Sequence, residues 1–325
     1  MDQVSPARPS LRQLQYFVAV ADTRGFGKAA QMLAVSQPSL SKQLSTMEAE
    51  LGAPLFERTS RRVRLTSLGE RLLPRARVIL QEVREFRAVA RGAIGPFGDR
   101  LALGVLPSIG AYFMPHANRQ LHRMYPNLRL AVREGPTQQL LTLLKDGHLD
   151  VVIGTPTNEP DVASHPLFSE TLWACAAADD PLSDSTTPIT LADLSDKPLL
   201  SLSSEFRLAR IVDRLAERAG TFVSRDYQGS SLDAVRQMAV MGAGVAVLPS
   251  LYALAEAVRD PDFVVRRIDD AEAHHDIALL WRRGSPLGTD CLQLADHLIA
   301  VKHDIRASRA ERFRSPTGSR TWPGD

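Results

Sequence analysis

The stretch Val35-Ser36-Gln37-Pro38-Ser39-Leu40-Ser41 leaves the chain few conformations. Ser36 is placed to cap a helix, and Pro38 falls in a first turn, where a missing N–H costs no hydrogen bond. Leu40, Leu44, Met47 and Leu51 then recur at helical spacing, and Gly52 ends the run. Upstream, Leu11, Leu14, Phe17, Val18 and Ala21 form the apolar face of a first helix that stops before Thr23-Arg24-Gly25, and a second helix is expected from Phe26 through Leu33. Two helices joined by so short a turn describe a helix-turn-helix.

In that motif the second helix enters the major groove, so its outward face needs short polar and cationic groups that can reach base edges. Opposite the leucines stand Gln37, Ser39, Ser41, Lys42 and Ser45, with no carboxylate before Glu48. Gln37, Pro38, Ser39, Ser41 and Lys42 are therefore the expected DNA contacts. Past Gly52, two short strands are expected around Thr59-Ser60-Arg61-Arg62, a wing whose Arg61 and Arg62 can reach phosphates or the minor groove. Charge agrees with this division. Residues 1–92 carry a balance of +7, residues 93–300 of -8 and residues 301–325 of +3. A basic head favours a polyanion, whereas an acidic body is unsuited to a second nucleic-acid surface.

After the winged helix-turn-helix of residues 1–66, Ser67-Leu68-Gly69-Glu70 has the form of a capping box, which opens a linker helix over 67–92. Leu72, Ala76, Ile79, Val83, Phe86 and Ala90 alternate spacings of four and three along it, a coiled-coil seam that needs a partner helix. Pro74 is expected to kink its first turns. The run Ala93 to Gly98 is a hinge by composition.

The body, 93–300, alternates short β-branched runs with helical patterns. Strands are expected at 101–105, 128–132 and 150–154, with helices over 108–124 and 137–146 between them, which implies parallel pairing with helices on both faces. A second series has a strand near 199–202, helices over 207–219 and 231–241, and a strand at 244–248. A strand at 276–281 and a helix over about 286–300 complete it. With crossovers near 166–172 and 268–276, two such units resemble a periplasmic binding protein, with lobe 1 at about 99–166 and 274–300 and lobe 2 at about 167–273. The fold class expected is thus α/β multidomain: a winged helix-turn-helix, a linker helix and a two-lobed periplasmic-binding-protein-like α/β effector domain. The basic tail, 301–325, is expected to be flexible.

A cleft in such a body lies beyond the carboxyl ends of its strands, where helix N-termini present free N–H groups. Ser108 and Thr137 stand at two such points of lobe 1, where each alone is also read as an ordinary helix cap, and Ser203, Ser204 and Ser230 stand at the facing points of lobe 2 with Arg207, whose helix position also permits a solvated role. These six are the expected effector-binding residues. No catalytic triad, HExxH, GxSxG or Walker motif occurs, so no enzyme, cofactor or metal site is expected. His274-His275-Asp276 reads as a crossover segment and not as a metal site. Cys175 and Cys291 are too few and too far apart for a disulfide scaffold. No apolar run approaches the length of a membrane span and the N-terminus lacks a signal peptide, so a cytoplasmic protein is expected.

The run Phe17, Phe26, Ala29-Ala30, Leu33, Val35 to Ser41, Leu44, Glu48, Leu51-Gly52, Leu55-Phe56-Glu57-Arg58 and Leu65-Thr66 resembles the N-terminal domain of LysR-type transcriptional regulators, and the order of later elements fits the same family. The resemblance implies double-stranded DNA as one partner, a small-molecule effector as another, and self-association into dimers through the linker helix and into tetramers. Val105 to Tyr112, Met114 to His116, Thr137 to Leu141, Asp146 to Asp150 and Pro166 to Phe168 are similar to the peroxide-sensing branch. That branch carries a reactive cysteine close to the position of Arg207, with a resolving cysteine about two turns later. Here Ser203 to Ala209 contains no cysteine and none follows before Cys291, so the resemblance extends to the scaffold and not to the thiol chemistry. The expected function is control of transcription by a small polar or anionic metabolite bound between the lobes. The alternative is a thiol-based redox response through Cys175 or Cys291.

Overall fold

The computed structural model describes residues 9–58, 63–91, 97, 100–184, 187–260 and 263–314. The chain divides into two compact units, residues 1–93 with 145–148, and the remainder.

In the first unit α1 (Leu11–Thr23) starts on a reciprocal cap: Ser10 Oγ accepts from the Gln13 N–H at 3.2 Å, and Gln13 Oε1 accepts from the Ser10 N–H at 2.8 Å. After α2 (Phe26–Met32) the chain turns through Ala34, at φ 53°, into α3 (Gln37–Leu51). Ser36 caps α3 by accepting from the Ser39 N–H at 3.4 Å, and Gly52 closes it at φ 71°. Leu40, Leu44 and Met47 are buried against Leu14, Phe17, Val20, Ala29 and Ala30. The helix-turn-helix thus follows the apolar spacing of the sequence. Strands β1 (Phe56–Arg58) and β2 (Val63–Leu65) pair antiparallel, Arg58 opposite Val63, as expected of a wing. Its expected contacts, Arg61 and Arg62, lie outside the described residues.

The linker helix α4 (Ser67–Arg91) runs through Pro74. Its cap differs from the expected Ser67 box. Thr66 Oγ1 accepts from the Gly69 N–H at 3.0 Å and donates to the Pro54 carbonyl at 2.8 Å, which makes Ser67 the first helical residue. The expected seam also divides. Leu72 and Ala76 pack on the core of the unit's own head, together with Leu68, Leu73 and Leu80, while Ile79 is 45% and Phe86 73% exposed. An Arg77–Asp22 ion pair ties this part of α4 to α1.

The second unit carries an eight-stranded mixed sheet. Strands β3 (Arg100–Val105), β4 (Arg129–Glu134) and β5 (Val151–Gly154) are parallel, as the alternating pattern required. Between β3 and β4 the single helix expected over 108–124 is two, α5 (Pro107–Tyr112) and α6 (Met114–Met124). The break at Phe113 places Pro115 in a first turn, where its missing N–H is harmless. Helix α7 (Thr137–Lys145) leads into β5. The 16-residue β6 (Val162–Ala177) is shared between the lobes, because its first part pairs with β10 (His274–Arg282) and its last with β8 (Val245–Pro249) and β9 (Phe263–Arg267). The short β7 (Leu199–Leu200) pairs with β8. Helices α8 (Arg207–Ala219), α9 (Leu232–Val240) and α10 (Ser250–Arg259) build lobe 2 around the fully buried Trp173. The sequence reading missed α10 and β9. The last helix, α11 (Gly288–Arg314), continues past Ala300: Val301 and Ile305 are buried, so 301–314 belongs to the helix and not to a flexible tail. No helix among the described residues is long and apolar enough to cross a membrane.

Candidate functional site

The face of α3 turned away from the leucines carries Gln37, Pro38, Ser39 and Lys42, all exposed, with Ser41 half-buried beside them. Glu48, the first carboxylate of the helix, has an inward task. Its Oε1 accepts from the backbone N–H of Leu55 at 2.8 Å and of Phe56 at 3.2 Å, which fixes the start of the wing relative to α3. An outer face that carries amide and cationic groups and no carboxylate before Glu48, followed by a β-hairpin bearing the exposed Arg64, is suited to a nucleic-acid duplex.

The second unit holds a cavity of about 450 Å³ between its lobes. One wall is the start of α7 with residues 155–158; the other is α8 with the start of β10. Thr137 Oγ1 accepts from the Thr155 N–H at 3.0 Å, which holds the turn after β5 against α7. A side chain at Gly154 would come within 2.9 Å of that hydroxyl, so the strand end needs its glycine. Thr155 Oγ1 lies 3.2 Å from Nε2 of His275, whose side chain is only 4% exposed and whose Nδ1 has no partner. Burial, with smaller contributions from Arg207 and His274 and against the pull of Asp276, pushes the imidazole down to about 4, so it is neutral at physiological pH. On the facing wall Arg207, Arg210 and Arg214 share one side of α8. Arg214 pairs with Glu272 at 3.4 Å. Glu205 spans the mouth, its carboxylate accepting from Gln139 Nε2 at 2.8 Å and from the Ser203 hydroxyl at 3.2 Å.

Of the six residues expected to bind the effector, this cavity collects Thr137 and Arg207. Ser108 is buried within α5, away from the lining. Ser203 is turned to Glu205, Ser204 is exposed outside the cavity, and Ser230 is exposed one residue before the cap of α9. That cap is Ser231, which accepts from the Ala234 N–H at 3.2 Å. The structure does not bring these four to the cavity, because a helix start is not by itself a cleft wall. The cavity adds Thr155, Arg210 and His275, which the sequence reading did not single out. The spacing of Arg207, Arg210 and Arg214 was visible in the sequence, whereas the inward turn of His275 depends on the register of β10 against β6.

Neither thiol reaches the cavity. Cys175 is fully buried in β6, with its Sγ 3.6 Å from the Trp173 carbonyl, and burial pushes its thiol well above the usual range. Cys291 is fully buried in α11.

Residues 11–70 match the bacterial regulatory helix-turn-helix protein family, lysR, and residues 95–302 match the LysR substrate binding domain. The DNA-binding transcriptional dual regulator OxyR of Escherichia coli is 34% identical over 292 residues, covering 90% of this chain and 95% of that protein. Among solved structures, a full-length OxyR cysteine-to-aspartate variant from Pseudomonas aeruginosa superposes with a TM-score of 0.74 at 33% identity, covering 90% of this chain and 95% of that one. A Corynebacterium glutamicum OxyR cysteine-to-serine mutant with hydrogen peroxide bound gives 0.63 at 32% identity, over 94% and 98% of the two chains. A helix-turn-helix head and a substrate-binding body are the two parts matched, and the chain belongs to the LysR family of DNA-binding transcriptional regulators.

Proposed function

We propose that this regulator binds its operator in the cytoplasm as a dimer or tetramer and is controlled by a small polar or anionic metabolite in the inter-lobe cavity. Gln37, Pro38, Ser39, Ser41 and Lys42 face the major groove and Arg61 and Arg62 the phosphates or minor groove, while the exposed Ile79 and Phe86 of α4 form the self-association seam. The observation that carries the effector reading is the lining itself: hydroxyls, two amides and guanidinium groups converge there, and both cysteines lie elsewhere, buried. Ligand contacts on both walls favour the closed arrangement of the lobes, and they shift DNA binding only as far as the ligand prefers that state.

A redox response through Cys175 or Cys291 is the second reading, and the relatives favour it, since several carry the name hydrogen peroxide-inducible genes activator. Against it stand the burial of both thiols and the absence of a cysteine from 203–209. Operator footprinting separates the two. A footprint that ignores hydrogen peroxide, is unchanged in Cys175→Ser/Cys291→Ser, and shifts with a metabolite supports the first reading. A peroxide-induced change that this double variant abolishes establishes the second.

A further inference from the structure

The charges of the cavity are unevenly matched. Among its carboxylates, Glu205 is held by Gln139 and Ser203, Glu272 pairs with Arg214, and Asp276 lies 3.7 Å from His274. Arg207 and Arg210, by contrast, make no hydrogen bond or ion pair among the described residues, although both line the cavity. Three residues apart on a helix, their side chains are neighbours, with Cβ atoms roughly 5–6 Å apart. Both belong to the first turns of α8, whose cap residue, Phe206, offers no side-chain acceptor to the orphan N–H groups there. Two unpaired guanidinium groups beside an uncapped helix start make a site for an anionic oxygen group. The facing wall, at the start of α7 and residues 155–158, is uncharged and carries Thr137, Gln138, Thr155, Thr157 and Asn158.

We infer that Arg207 and Arg210 are the specificity-determining clamp of the cavity, and that its ligand is a compact carboxylate or phosphate ester whose anionic group seats on α8 while its neutral part faces Thr155 and Asn158. This rests on the cavity being the effector site, and it moves the anion to α8, away from the hydroxyls at the starts of α5 and α7. Shape and hydrogen bonding at residues 155–158 then choose among anions.

The test uses the full chain with sodium succinate, inorganic phosphate and succinamide, the uncharged analogue of succinate, in calorimetry and thermal-shift assays. Succinate or phosphate binds and succinamide does not; which anion binds distinguishes a carboxylate from a phosphoryl ligand. Arg207→Ala/Arg210→Ala weakens that binding about 10- to 100-fold, the value of charged hydrogen bonds. Arg225→Ala, whose guanidinium pairs with Asp213 outside the cavity, binds as the parent does. Equal binding of succinamide, full affinity in the double arginine variant, or no binding of either anion overturns the clamp. If succinamide alone binds and Asn158→Trp blocks it, the cavity remains the receptor and only the anionic assignment falls. If succinate binding depends on both arginines yet never alters the operator footprint, the clamp stands and the effector reading falls.

Discussion

Replacing Gly69 with alanine pits helix propensity against packing. Gly69 lies in the first turn of α4, and an alanine there gains up to about 1 kcal/mol of helix propensity over glycine. Its Cβ, however, would stand 2.3 Å from the Leu55 carbonyl oxygen, 3.2 Å from the carbonyl carbon and 2.9 Å from Leu65 Cδ2. Leu65 can shift, but the Leu55 carbonyl is backbone and accepts from the Thr66 N–H at 3.0 Å. Nor can the Leu55 peptide simply retreat, since its own N–H is held by Glu48. Overpacking against fixed groups costs roughly 1–3 kcal/mol, so the net change is destabilising by up to about 2 kcal/mol, the opposite sign from propensity. Because Leu55 leads into β1, the displacement also moves the wing. Calorimetry of the full chain should show the transition of the head domain falling by several degrees, and fluorescence anisotropy should show weaker operator binding. A head transition at or above that of the parent would refute the packing argument.

Gln37→Ala should relax base preference at one operator position by about 1–3 kcal/mol in a binding selection, whereas Arg61→Ala should weaken all sequences alike and flatten the salt dependence. Phe86→Glu should shift the protein to smaller species in sedimentation, since it puts charge on a side chain 73% exposed along the proposed seam. His275 gives a pH prediction. Its folded value of about 4 is below the ordinary 6.5, so the unfolded state binds the extra proton; stability is whole above 6.5 and falls by up to about 1.4 kcal/mol per pH unit as pH drops toward 4. His275→Gln should remove that part of the slope, and an imidazole resonance that titrates near 6.5 in the folded protein would disprove it.

The legible parts of this chain were those whose signal is local. Ser36, Pro38, Leu40, Leu44 and Gly52 determine α3 by capping and period alone, and the strands at 101–105 and 150–154 are apolar runs of the right length. The wing was legible for the same reason, as a turn between two short runs. What escaped required tertiary placement. The spacing of Leu72 and Ala76 does not announce which core they face, and both pack on the head because α4 lies along α1.

 Likewise Ser108, Ser203, Ser204 and Ser230 share the residue type and the helix-start position of a cleft hydroxyl, but the sequence does not say that the cavity opens toward α8 and residues 155–158. His275 is inward and His274 outward only because β10 pairs with β6 in one register, a fact that no window of sequence contains.

The shared strand β6 limits how the two lobes can move. Val162 to Thr171 is laddered to β10, and Leu172 to Ala177 to β8 and β9, so one continuous backbone belongs to both halves of the sheet. At the changeover the Leu172 N–H donates to the Ala273 carbonyl at 2.9 Å and its carbonyl accepts from the Ile268 N–H at 3.2 Å, which staples the two crossing segments together. Sliding is resisted there, since both faces of the strand are buried and a one-residue slip would force Trp173 into the space packed around Ala174. Any movement that brings α8 toward α7 therefore has to be taken up as twist of β6 near Leu172, where the ladder passes from β10 to β8 and β9.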